Sequence, residues 1–504
     1  MAARTASIFL YMLCPIVLAA TPDAPKAPPP SISISSEFTA RALSVEKLQA
    51  WYGDSLDLKN DAQLAKTAQS AEALIHAIFS SAEVGTRLSK ERELNALALP
   101  PMTLRAIVRY GRIPNIEAKK GVLNAEAPVP GFKDKSIKLT VRIPDEYTID
   151  RSWPVILALH GAHGDGPGYL EHWTHGPGAA VAGKYIVLAP SADKVYGWGP
   201  ASFGRAQAIA ALDWVIANYR VDADRVYMEG TSMGGYGTKR LATLWPDRFA
   251  AISPRSGPPL SPLQMATMRN LHALPMLSFA GRDDKLIPEK VFESEKDEIT
   301  ADGLPAEMNI LSGRGHEVYQ DKDPDAVAFF EKHPRDRAPA SLTFDSCEEG
   351  PGVRHYYVEI TETDSRGNQQ ASEIVLNGTK GDDSIIKQMQ AARDIVQYEA
   401  LLKQAQEKGV LLENRKTWSK PREITLHIDR ANNSIVIEKT AFVRQFKIYV
   451  DDDLLDMSKE IVVKSGERTL LKRKIERSTH FMLDEMSKTG RRDMTYWGVL
   501  DIRL

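Results

Sequence analysis

Val221-Asp-Ala-Asp-Arg-Val-Tyr-Met-Glu-Gly-Thr-Ser-Met-Gly-Gly-Tyr-Gly237 is the stretch on which the reading of this chain turns. Val226 to Glu229 reads as a strand and Tyr236 to Leu244 as a helix, and Gly230-Thr231-Ser232-Met233-Gly234 joins them. Large side chains on either side of a serine on so tight a strand-to-helix turn would collide, which accounts for glycine at 230 and 234. A G-x-S-x-G pattern arises by chance in a chain of this length about once in eight. The strand before it and the helix after it therefore carry the argument.

Working outward, β-rich runs alternate with helical patterns from about 135 to 335. The strands are expected at Ile137–Ile143, Val155–His160, Tyr185–Pro190, Arg225–Glu229, Phe249–Ser253, Pro275–Ala280 and Met308–Leu311, with helices near 205–219 and 234–244. Such alternation predicts an α/β fold, a mostly parallel sheet flanked by helices, with a domain over 131–337. Before it, apolar residues at helical spacing (Leu64, Ala68, Ala71, Leu74, Ile75, Ile78) predict an N-terminal helical region over 37–130. After it, strands are expected at His355–Ile360, Glu423–Ile428, Ser434–Glu438, Phe446–Val450, Glu460–Lys464 and Tyr496–Ile502. These make 338–504 a C-terminal β-rich accessory domain, interrupted by a helix over 384–408.

A chain of 504 residues is too long for one core of usual size, which agrees with several units. The first twenty residues run from Arg4 through an apolar stretch to Ala19 and Ala20, as a cleaved signal peptide does. The apolar run is shorter than a bilayer-spanning helix needs, so no stable membrane insertion is expected and the mature protein is expected to be secreted or periplasmic. Residues 21–36 are a Pro/Ser-rich linker. Loss of the signal would remove Cys14 and leave Cys347 as the only cysteine, excluding an intramolecular disulfide. A formal net charge of -2 points to neither nucleic acid nor a membrane surface. No motif speaks to oligomeric state.

A serine hydroxyl is a weak nucleophile at neutral pH and needs a base, and the base needs an acid to fix its tautomer. Two loops after Ser232 supply them in chain order. Pro275 to Gly281 is a buried strand that runs into Arg282-Asp283-Asp284, and Gly313-Arg-Gly-His316 follows the next strand. Asp283 competes for the acid role, but Gly281-x-x-Asp284-x-x-x-Pro288 favours Asp284 by spacing. The oxyanion of an acyl-transfer reaction would be held by backbone N–H groups, expected from Met233 and from Ala162 in the His160-Gly161-Ala162 loop. No cofactor is required, and no cluster has metal-ligand spacing.

Leu159-His-Gly-Ala-His-Gly164, the stretch quoted first, Trp245-Pro-Asp-Arg-Phe-Ala-Ala-Ile252, Phe279-Ala-Gly-Arg-Asp-Asp284 and Gly315-His-Glu-Val318 together resemble the secreted esterase and peptidase-like branch of the α/β-hydrolases, which includes feruloyl esterases and polyester depolymerases. The resemblance implies an α/β-hydrolase catalytic domain over 131–337, a serine hydrolase of the carboxylesterase type, and a small-molecule or polymer-linked ester as its partner. A peptidase of short peptides is the alternative within enzymes. A non-catalytic polymer-binding protein on a hydrolase scaffold is the alternative of another class.

Three weaker signals have two readings each. Trp198 follows the strand ending at Pro190, and its ring either stacks on a sugar or aryl group of a substrate or packs within the loop. Arg255 either binds a carboxylate or makes a structural salt bridge. Lys472, Arg473, Lys474 and Arg477 form a basic cluster best read as a solvated sheet face.

Overall fold

The computed structural model describes residues 62–81, 83–110, 119–149, 151–192, 197–198, 202–260, 265–346, 354–364, 370–377, 411–418 and 421–504. The expected signal peptide, the linker, Cys347 and the helix over 384–408 lie outside them. Among the described residues no helix is long and apolar enough to cross a membrane.

Among the described residues three helices come first: α1 (Ala62–Ser80), α2 (Val84–Ala96) and α3 (Pro101–Tyr110). The helical region does not reach 130 as expected, because β1 (Gly121–Pro128) is a strand paired antiparallel with β2 (Ser136–Ile143). Its inward side chains are Leu123, Ala125 and Ala127, good helix formers, and its outward face carries the exposed Val122. The period-two contrast that marks a strand is therefore faint, and pairing with β2 at the sheet edge decides the matter.

The chain then alternates through β3 (Trp153–Leu159), α4 (Gly166–Thr174), α5 (Pro177–Ala182), β4 (Ile186–Ser191), α6 (Ser202–Asn218), β5 (Val221–Thr231), α7 (Met233–Leu244), β6 (Ala251–Arg255), β7 (Met276–Gly281), α8 (Glu289–Ala301), β8 (Ala306–Leu311) and α9 (Asp323–Lys332). Eight strands form one sheet in the order β1-β2-β4-β3-β5-β6-β7-β8. β2 runs antiparallel to β4, and from β4 to β8 every pairing is parallel. Every residue of β3 is buried, as a central strand covered on both faces requires. One face buries Val155, Leu157 and Met228 against Leu212 and Leu241; the other buries Ile156, Ala158 and Tyr227 against Leu170, Trp173 and Phe330. Each fully buried side chain of this size contributes roughly 1.5–3 kcal/mol.

The remainder is β-rich: β9 (Ser341–Ser346), β10 (Arg354–His355), β11 (Val358–Thr363), β12 (Gln370–Asn377), β13 (Leu411–Trp418), β14 (Arg422–Asp429), β15 (Ser434–Ala441), β16 (Val443–Val450), β17 (Ile461–Ser465), β18 (Arg468–Arg473), α10 (Thr479–Thr489) and β19 (Gly498–Arg503). They build a five-stranded sheet, β18-β17-β15-β14-β9, a four-stranded sheet, β10-β11-β16-β19, and the β12-β13 ribbon. The basic cluster is a solvated edge, with exposed Lys472 paired to Glu460 at 3.0 Å and Arg477 to Asp452 at 2.6 Å.

The N-terminal helices are not a unit of their own. Ala68, Ile75, Leu94, Leu104, Ile107 and Val108 share one apolar core with Phe344, Tyr357, Ile424, Ile448 and Leu500 of the two C-terminal sheets. The buried Arg105 fastens α3 there, its Nε donating to the carbonyl of Thr495 at 3.0 Å and its Nη2 to Asp453 at 2.6 Å and to Asp451. The accessory unit is thus discontinuous, and the eight-stranded sheet is inserted between its halves. Arg335 bridges the two units, with Nη2 3.0 Å from Asp224 and Nη1 2.7 Å from Asp493.

Candidate active site

β5 ends on the tight turn expected from its sequence. Ser232 has φ 56° and ψ −114°, left-handed backbone that costs a residue with a side chain on the order of 1–3 kcal/mol. The turn is held by two hydrogen bonds. The Ser232 N–H donates to the carbonyl of Arg255 at 2.8 Å, and the Tyr236 N–H donates to the carbonyl of Ser232 at 2.9 Å. A Cβ on Gly234 would lie 1.9 Å from the Leu159 carbonyl oxygen, and one on Gly230 would lie 2.5 Å from that of Gly234. Close backbone approach, together with the need to keep Ser232 reachable, explains both glycines.

The loops after β7 and β8 meet each other at the same end of the parallel sheet. Gly281 allows this contact, since a Cβ there would stand 2.3 Å from the Arg314 carbonyl oxygen. Asp284 is 5% exposed; its Oδ1 accepts the N–H groups of Leu286 at 2.8 Å and Ile287 at 2.9 Å. That leaves Oδ2 to face His316 Nδ1 at 2.7 Å. Because a carboxylate accepts, Nδ1 carries the proton of this bond and Nε2 is left for another partner. Asp283 is exposed and takes part through its backbone N–H, which donates to the Arg314 carbonyl at 2.9 Å. Arg314 also grips Glu317 at 2.7 Å and Asp321 at 2.8 Å, and this hydrogen bonding lowers the pKa of both carboxyls.

Beside Ser232 runs the loop after β3. A Cβ on Gly161 would be 3.5 Å from that of Ser232. Gly161 to Gly164 form a turn closed by the Gly164 N–H on the Gly161 carbonyl at 3.2 Å, with Ala162 second and His163 at φ 65° third, as a type II turn has it. Met233 opens α7. The two residues expected to donate backbone N–H groups thus flank Ser232 from separate elements.

A prolyl oligopeptidase family model matches residues 204–258. Feruloyl esterase B of Neurospora crassa is 31% identical over 137 residues, 25% of this chain and 46% of that protein. Acetylxylan esterase A of Aspergillus ficuum is 32% identical over 115 residues, covering 20% of this chain and 37% of its own. Poly(3-hydroxyalkanoate) depolymerase C of Paucimonas lemoignei is 29% identical over 119 residues, 21% of this chain and 28% of its own. The matched stretch spans less than half the length of each of these relatives. Among solved structures, a thermostable esterase aligns over 42% of this chain and 63% of its own, at 21% identity and a TM-score of 0.37. The inserted unit has the α/β-hydrolase fold.

Within the hydrolase domain, Trp198 stands differently from the stacking residue expected as one reading. It is 0% exposed, its Nε1 donates to the His160 carbonyl at 2.9 Å, and it packs edge-on to the His160 ring. A fully buried ring has no face for a substrate, so Trp198 supports the loop from behind. His160 itself was not anticipated. Its Nε2 accepts the Ala192 N–H at 2.9 Å, so its Nδ1 carries the proton and donates to the Gly161 carbonyl at 2.7 Å. Burial lowers its pKa, which favours this neutral form. The ring thereby ties the β3 loop to the end of β4.

Nor was Glu229, beneath the serine turn. Glu229 is fully buried, held by the Tyr169 hydroxyl at 3.0 Å and Trp173 Nε1 at 3.2 Å, with Arg255 Nε 3.7 Å away. Burial pushes its carboxyl up to about 7, against the pull of Arg255. Arg255 is 1% exposed and paired with Asp323 at 2.5 Å, which makes it the structural salt bridge of the two readings. The signal was a glutamate directly after the apolar run Val226-Tyr-Met228, with an arginine two residues further along in register on the neighbouring strand, where Thr231 pairs with Arg255.

Proposed function

We propose that this chain hydrolyses carboxylic esters through an acyl-enzyme on Ser232, with His316 as base and Asp284 as the acid that orients it. The supporting observation is the 2.7 Å contact from Asp284 Oδ2 to His316 Nδ1, on loops at the same end of the sheet as the strained serine turn. In the first half-reaction His316 Nε2 takes the Ser232 hydroxyl proton as Oγ attacks the ester carbonyl. The tetrahedral oxyanion is held by the N–H groups of Ala162 and Met233. Its collapse expels the alcohol, which takes the proton from His316. Water then attacks the acyl-enzyme with His316 again as base, releasing the acid and restoring Ser232. The alignments to feruloyl and acetylxylan esterases support esters of plant-wall type as the substrate class. The apolar run in the first twenty residues supports export.

The test is turnover of a p-nitrophenyl ester by the protein and by Ser232→Ala, where the loss in kcat is expected to be about a million-fold. An unchanged rate in the variant would overturn the assignment of the nucleophile. The match to the prolyl oligopeptidase family over 204–258 favours a second reading, hydrolysis of short peptides. Turnover of aminoacyl anilides without turnover of aryl esters would replace the first reading by the second.

A further inference from the structure

The geometry points to Arg255 as a positioning residue that fixes the separation of Ser232 and His316. The inference rests on the triad reading above. Arg255 is the last residue of β6, and it holds both loops at once by different parts of itself. Its main-chain carbonyl accepts the N–H of Ser232 at 2.8 Å. Its Nη1 donates to the carbonyls of Val318 and Tyr319, both at 3.3 Å, the second and third residues after His316. One rigid strand end therefore spans from the serine turn to the histidine loop.

What keeps that guanidinium in place is equally specific. Nη1 is paired with Asp323 Oδ1 at 2.5 Å at the start of α9, and Nε faces Glu229 Oε2 at 3.7 Å. Glu229 is fixed in turn by Tyr169 and Trp173, and the Tyr169 hydroxyl also meets Thr231 Oγ1 at 2.9 Å, next to the serine. Within the histidine loop, the Tyr319 hydroxyl donates to the Gly315 carbonyl at 2.8 Å. Arg255 Nη1 makes all three of its contacts with its two N–H groups shared among Asp323 and the two carbonyls, and the planar guanidinium facing Glu229 through Nε fixes where that nitrogen sits, whereas an ammonium on a shorter, flexible stem does not hold the same position. At 1% exposure, Arg255 has no access to substrate, so any effect it has on the reaction passes through the loops it holds.

Arg255→Lys keeps the positive charge between Glu229 and Asp323 and removes the planar guanidinium. In a variant folded by circular dichroism, kcat is expected to fall by about 10- to 100-fold, the range that small misplacement of reacting groups produces. KM is expected to stay within about two-fold, and the NMR titration of His316 and its low-field Nδ1 proton signal are expected to change. Should Arg255→Lys fail to fold, Asp323→Asn loosens the same anchor with a near-isosteric side chain and is expected to give the same pattern with a smaller drop. Unchanged kcat together with an unchanged His316 titration in either folded variant would overturn the proposal and leave Arg255 a structural ion pair. The NMR signals do not depend on turnover. Failure of the ester reading would show as an inactive wild-type protein, separately from the behaviour of Arg255.

Discussion

The two oxygens of Asp284 divide their partners, one held by the backbone N–H groups of Leu286 and Ile287 and the other by His316. Asp284→Ala removes the orienting bond and is expected to lower kcat by about 10⁴-fold, as losing the acid of such a triad does. Asp283→Ala, an exposed side chain one residue away, is expected to leave kcat within about two-fold; a large loss in Asp283→Ala with Asp284→Ala near the wild-type rate would reverse the assignment. Spacing from Gly281 was enough to prefer Asp284 from sequence, because the turn after a buried strand fixes which side chain faces back. Trp198 was not legible in the same way. Whether a loop tryptophan lies over a cleft or under a loop depends on partners far along the chain, here His160 and Gly237, whose Cβ would meet Trp198 Cβ at 2.5 Å.

Among the elements, the turn from β5 to α7 is specified most tightly. Gly234→Ala sets a methyl group against the backbone of β3 at 1.9 Å, and backbone cannot yield as a flexible side chain does. Its expected cost is about 3 kcal/mol or more, read as a lowered urea midpoint together with lost ester turnover. That same crowding is why the stretch announced itself in sequence, since steric exclusion leaves a glycine signature. α10 shows the reverse case, a helix whose signals were present and unread. Ser478 caps it, its Oγ accepting the Phe481 N–H at 3.1 Å, and Gly490 ends it at φ 68°. Between them, Met482, Leu483 and Met486 fall on one buried face, a pattern too short to stand out beside strands. β1 stayed hidden for a chemical reason, because alanines facing inward read as helix.

In the molecule as a whole, the two units meet through buried charge, and His355 sits at that junction. Its ring is buried, stacked on Phe344 with centroids 3.9 Å apart, and burial pushes its imidazole down to about 4 against the pull of Asp247. Between that value and the ordinary 6.5, the unfolded chain binds a proton that the folded chain does not. Stability present above pH 6.5 is therefore lost as pH falls toward 4, by about 3 kcal/mol from this residue. Urea midpoints at pH 7 and pH 4.5 are expected to differ less in His355→Phe than in the wild type; equal differences would exclude His355 as a source of acid sensitivity. Deleting residues 62–110 is expected to expose the C-terminal sheets to limited proteolysis before the hydrolase domain. Resistance of residues 341–503 in that deletion would contradict the shared core. This partnership could not be read from the sequence, because amphipathic spacing shows that a helix has an apolar face without showing what covers it.

The discontinuity of the accessory unit also sets an order of events during synthesis. α3 ends at Tyr110 and the first strand of the sheets that cover it begins at Ser341, about 230 residues later. At roughly 5–20 residues per second, Ile75, Leu104 and Ile107 wait on the order of 10–50 s for the strands they will pack against. The segment made first is thus buried last, after a whole domain has had time to form between the halves. In that interval the apolar face of these helices has no strand to cover it.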